Sequence, residues 1–134
     1  MLLEPPNAGD TADGDVLALE VDGADLARMR RRVAEQLSDL DPEFVQDVEL
    51  VCTELAANAC DHAEGPHLLV LRRHVAEVRV EVSDGSPDRS PQVGASTLGP
   101  HRGHGMRMVE SLSSSWGIRV ADDTKTVWAE LPIA

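Results

Sequence analysis

Three short stretches of this chain of 134 residues carry polar side chains where packing alone would not require them. In ELAANACDH, residues 54 to 62, Glu54, Asn58 and His62 recur at four-residue steps, so on a helix they stand one above another, with Asp61 close beside them, and line one groove. An Asn amide oxygen is a hard, uncharged ligand suited to Mg²⁺, an ion that keeps several waters and takes further oxygens from phosphate. A carboxylate one turn away can hold a hydroxyl group and accept its proton. In VSDGSPD, residues 82 to 88, Asp84 ends an apolar run and precedes Gly85; an ionised carboxylate there can accept a hydrogen bond from an exocyclic amine at the bottom of a pocket. In HRGHGMRMVESL, residues 101 to 112, Gly103 and Gly105 leave backbone N–H groups unobstructed just before an expected helix, whose unpaired donors and dipole favour phosphate.

Each stretch alone has an ordinary reading: a solvated helix face, an Asp-Gly turn, a hinge into a core helix. Together, in this order and with a long loop between the last two, they supply a metal ligand, a base-reading carboxylate and a phosphate cradle.

The elements that must position them follow from periodicity. Residues 1–14 mix Pro, Gly, Asn and Asp with little to bury and read as a flexible leader, with one domain over residues 15–134. DVLALEV suits a strand. Leu26, Met29, Val33, Leu37 and Leu40 then recur at helical steps, with Arg28, Arg30, Arg31 and Arg32 mostly on the other side. Asp41-Pro42 signals a helix start, and that helix should run to about His62 with Phe44, Val48, Val51, Leu55 and Ala59 as its stripe, ended by Gly65-Pro66. HLLVLRR and EVRVEVSD read as a hairpin, residues 85 to 102 as a lid, Met106, Val109 and Leu112 as a helix face, and WGIRVA with TVWAELP as a final hairpin turning at Asp122-Asp123. This order predicts an α+β fold, a two-layer sandwich of helices on one face of a mixed, mostly antiparallel sheet. Trp116 and Trp128 are expected to fill the core between sheet and helices.

Composition narrows the function. A formal net charge of -12 opposes phosphate backbones and anionic membranes, so neither nucleic acid nor membrane is an expected partner. Apolar runs fall far short of the roughly 20 residues of a span, and a cytoplasmic protein is expected. Cys52 and Cys60 are too far apart on one helix for a disulfide, and no His has a zinc-ligand spacing.

ELAANACDH, DGSP and GHGMRMVESL, with the closing KTVWAELP, resemble the N, G1 and G2 boxes of the GHKL ATPases, which share the Bergerat ATP-binding fold, and in particular the bacterial anti-sigma factor serine kinases. The resemblance spans about residues 15 to 134. It implies ATP and Mg²⁺ as cofactors, Asn58 as Mg²⁺ ligand, Glu54 as general base, Asp84 as reader of adenine, and Gly103, His104, Gly105, Met106 and Thr126 at the nucleotide. It further implies serine phosphorylation of an anti-anti-sigma (STAS-type) protein, binding of a sigma factor, and a homodimer. Ser86 stands where the family commonly has Gly, and the lid is short. Those two departures favour the alternative of a nucleotide-dependent binding module that switches partners without transferring phosphate.

Overall fold

In a computed structural model of the chain, residues 15–87 and 100–133 are described, with the backbone alone for 100–105. The expected leader and most of the expected lid lie outside the described residues.

The order is β1 (Asp15–Glu20), a 3-10 turn (Gly23–Asp25), α1 (Leu26–Gln36), α2 (Pro42–His62), β2 (Leu68–Arg73), β3 (Glu77–Asp84), α3 (Pro100–Leu112), β4 (Ser115–Ala121) and β5 (Thr124–Pro132). The helix starts obey the chemistry of their caps. Asp41 accepts hydrogen bonds at Oδ2 from the backbone N–H of Glu43 and Phe44, at 3.1 and 3.3 Å, and Pro42 takes the first helical position, where no donor is lost. Asp25 caps α1 in the same way, through the N–H of Arg28. The last hairpin turns at Asp122-Asp123 as expected, with Asp122 at φ 34°, a left-handed conformation that Asp tolerates better than most residues.

The five strands lie in the order β1-β2-β3-β5-β4. Every described pairing is antiparallel, so the mixed component expected of the sheet is not found among neighbouring strands. It survives in a weaker form: β3 and β4 run parallel to each other on either side of β5, and the connection between them carries α3.

All three helices cover one face. Leu69, Leu71, Val78, Val80, Val82, Ala129 and Leu131 point into it and are at most 1% exposed, packed with Met29, Val33, Val48 and Val51 of α1 and α2. Each of the Val, Leu and Met side chains contributes about 1.5–3 kcal/mol by leaving water. Cys52 belongs to this core, and burial pushes its thiol pKa far up, which fits the expected role of a small apolar filler.

The other face of the sheet has no helix among the described residues and is held by charge. Arg79 donates from Nε to Glu81 at 2.9 Å and from Nη1 to Glu130 at 2.7 Å, and its guanidinium carbon lies 4.3 Å from the centroid of the Trp128 ring. Arg72 and Arg119 approach Glu81 at 3.4 and 3.7 Å. Trp128 is therefore on the outer face, a correction to its expected place in the core. The reason is parity: Val127, Ala129 and Leu131 point to the helices, so the residue between the first two cannot. A Cβ at Gly117 on neighbouring β4 would stand 2.8 Å from the Trp128 ring, so that glycine leaves the space the indole fills.

Candidate functional site

One pocket opens between the C-terminal half of α2 and the ends of two central strands. Leu55, Asn58, Ala59 and His62 line it from α2, Val82 and Asp84 from β3, Lys125 and Val127 from β5. The helix supplies a polar edge because Asn58 and His62 follow Leu55 along one stripe. The strands supply an apolar wall with a charged end because inward positions alternate from Val82 to Asp84 and from Val127 to Lys125.

Asp84 is 3% exposed. Its Oδ1 accepts from the Ser86 backbone N–H at 2.8 Å, and its Oδ2 lies 3.5 Å from Lys125 Nζ. The turn that carries it is stitched to the end of α2: the Gly85 N–H donates to the Glu64 carbonyl at 2.8 Å and the Glu64 N–H to Ser86 Oγ at 2.7 Å. Ser86 thus spends its hydroxyl on the backbone of the neighbouring turn. Gly85 is required by a close approach, since a Cβ there would stand 2.9 Å from the Gly65 carbonyl oxygen.

Asn58 Oδ1 is buried and has no hydrogen-bond partner among the described residues. A buried amide oxygen left bare is costly, and an oxygen-seeking cation would satisfy it, so the residue fits the Mg²⁺ that the sequence implies. Glu54 is half-buried one turn earlier on the same side of α2. The cavity between the lining residues is about 10 Å³, room for about one water. The pocket must widen before a base can enter.

Four expectations change here. Asp61 does not share the groove of Asn58: adjacent helical residues point about 100° apart, and while His62 enters the pocket, Asp61 faces an open depression with Cys60, His67 and Asp22. In that depression Cys60 Sγ lies 3.7 Å from His67 Nδ1, and burial first, then the charge of Asp61, raises the thiol pKa. Thr126 is on the outer face of β5, opposite Ser83 and Arg119, because the inward positions are those of Lys125 and Val127. Met106 is 1% exposed within the core. Gly103 and Gly105 lie inside α3, which begins at Pro100, rather than ahead of it. Proline suits the first helical turn, and a glycine costs an exposed helix interior only about 1 kcal/mol, too little to hold the start back to Gly105. The side chain of His104 lies outside the described residues.

Lys125 was not among the expected site residues. Its signal in the sequence is the alternation of KTVWAEL, which puts Lys125 on the same face as three apolar residues.

Residues 19–131 match the family described as the histidine kinase-like ATPase domain, and the chain belongs to that family. Among solved structures, the RsbU and RsbW domains of Rv1364c from Mycobacterium tuberculosis superpose with a TM-score of 0.60 at 17% identity, covering 86% of this chain and 31% of that one. The blue-light activated histidine kinase EL346 of Erythrobacter litoralis superposes with a TM-score of 0.53 at 19% identity, covering 83% of this chain and 41% of that one. The likeness is one of fold, and the chain spans less than half of either protein. No curated protein matches it. Among the described residues no helix is long and apolar enough to cross a membrane, and no three or more His, Cys, Asp or Glu side chains are grouped so as to hold a metal ion.

Proposed function

We propose that the chain is an ATP-binding protein serine kinase of a partner-switching system, which holds a sigma factor in one state and phosphorylates an anti-anti-sigma protein of the STAS type in another. The observation that carries this reading is the convergence of Asn58, with its bare buried oxygen, and Asp84 in one pocket of a histidine kinase-like ATPase domain. The same motifs resemble the anti-sigma kinases and support the choice of partners.

Asp84 reads the base by accepting from its exocyclic amine, while its other oxygen stays fixed on the Ser86 N–H. Asn58 contributes an oxygen to Mg²⁺, which when bound neutralises phosphate charge. Glu54 accepts the proton of a partner serine hydroxyl as that oxygen bonds to the γ-phosphorus and ADP leaves, a reaction in which positioning and charge supply most of the rate. Gly103, His104 and Gly105 lie in the first two turns of α3, just past the helix start whose unpaired N–H groups favour phosphate.

The second reading, a nucleotide-dependent binding module without phosphotransfer, is favoured by the two departures from the family's pattern, Ser86 and the short lid. Calorimetry and phosphotransfer separate the two. In the first reading ATP binds in a Mg²⁺-dependent way that Asn58→Ala abolishes, and Glu54→Ala binds ATP but transfers no phosphate to a STAS-type partner. In the second, wild-type protein binds ATP and transfers none. ATP affinity unchanged in Asn58→Ala removes the nucleotide site from this pocket.

A further inference from the structure

The pocket holds a buried charge that the reading above does not use. Lys125 is the only lysine of the chain, beside eleven arginines. It is 4% exposed. Burial of an ammonium opposes folding unless a counter-charge and hydrogen bonds compensate, and the next inward positions of β5, Val127, Ala129 and Leu131, show that this face of the strand is otherwise apolar. What Lys125 adds to the pocket is a donor. With Asp84 Oδ2 at 3.5 Å, the pocket presents one acceptor and one donor side by side, on side chains 1% and 5% exposed.

The edge of adenine presents the complement: a donor, the amine on C6, beside an acceptor, ring nitrogen N1. We propose that Lys125 is a base-reading residue whose ammonium donates to N1 while Asp84 accepts from the neighbouring amine. An ammonium has three N–H groups and can serve a carboxylate and a ring nitrogen together. The second oxygen of Asp84 is fixed by the Ser86 N–H, so the order of acceptor and donor along the pocket is fixed as well, and that order is what selects the base. The inference rests on the nucleotide reading of the pocket and adds the atom that its second contact takes.

The decisive ligand is 1-deaza-ATP, which keeps the C6 amine and carries C–H in place of N1. Calorimetry of the full chain with Mg²⁺ and either nucleotide is expected to show ATP binding at least about tenfold tighter, the size of one charge-assisted hydrogen bond. Lys125→Met is expected to lose that factor for ATP and to bind 1-deaza-ATP as the wild type does, bringing the ratio near one. Equal affinities of the wild-type chain for the two nucleotides overturn the proposal, even where Lys125→Met does not fold, and leave the nucleotide site itself standing. A ratio that persists in Lys125→Met overturns it too. ATP binding that tightens in Lys125→Met also overturns it, for Lys125 then occupies the place the base must take. Failure of the wild-type chain to bind either nucleotide removes the nucleotide site, and with it this role.

Discussion

Charge is buried on both faces of the sheet, and the two places are built differently. On the outer face Arg79 holds Glu81 and Glu130 at 2.9 and 2.7 Å and lies against Trp128, while Arg72 from β2 and Arg119 from β4 converge on Glu81. On the inner face Asp84 and Lys125 approach only to 3.5 Å, at the end of an apolar wall and beside the bare amide oxygen of Asn58. Multiply shared contacts on the outside act as a substitute for a covering layer and brace the sheet. The inner pair instead borders the pocket at the end of α2, where a ligand can meet it. Buried charge thus braces the sheet on one side of this molecule and lines a pocket on the other.

The comparison breaks most visibly at Arg79. Replacing it by Ala leaves the buried Glu81 and the half-buried Glu130 short of a partner and strips Trp128 of its stacked cation, and we expect a loss of about 3 kcal/mol in urea unfolding, with ATP affinity of the folded fraction unchanged. A loss of nucleotide binding at full stability would mean that the outer lattice is part of the site.

A smaller effect is expected at Gly85, beside the inner pair. The methyl of Gly85→Ala meets the Gly65 carbonyl, and relief of that overlap should cost about 1–3 kcal/mol and tilt the Asp84 turn away from α2. Chemical denaturation and ATP titration together check this, and wild-type behaviour in both would show that the stitch between β3 and α2 yields freely.

The smallest change sharpens the outer face. Burial and the nearby Glu130 raise the pKa of Glu77 above its ordinary 4.5. A carboxyl whose folded pKa is raised stabilises the fold while protonated in both states, and that contribution is lost as pH rises through the folded value. Glu77→Gln should thus be more stable than wild type at pH 7, by about 0.5 kcal/mol or less because solvent screens the group, and the advantage should vanish below about pH 4.5. Thermal melts at pH 4 and pH 7 measure the difference.

Much of this was legible in the sequence, and the legible part had local causes. Asp41-Pro42 announced α2 because a side-chain acceptor and a missing donor act within one turn, and the period of EVRVEVSD placed Asp84 on the buried face of its own strand. Asn58 followed from the stripe of α2. What the motifs misplaced lay one residue or one turn from the truth: Thr126 for Lys125, Asp61 beside His62, a helix expected at Gly105 and begun at Pro100. A strand flips its face at every residue and a helix turns by about 100°, so a match to a short motif fixes the neighbourhood of a side chain without fixing its direction.

The sequence by itself determined the elements, their caps, the α+β class and the family, because those depend on spacing along the chain. Only the tertiary structure decided that the sole lysine stands against Asp84, that Trp128 lies outside under Arg79, and that Ser86 is spent on the end of α2. Each depends on which strand lies beside which and in what register, and pairing across a sheet brings together residues more than twenty apart in the chain.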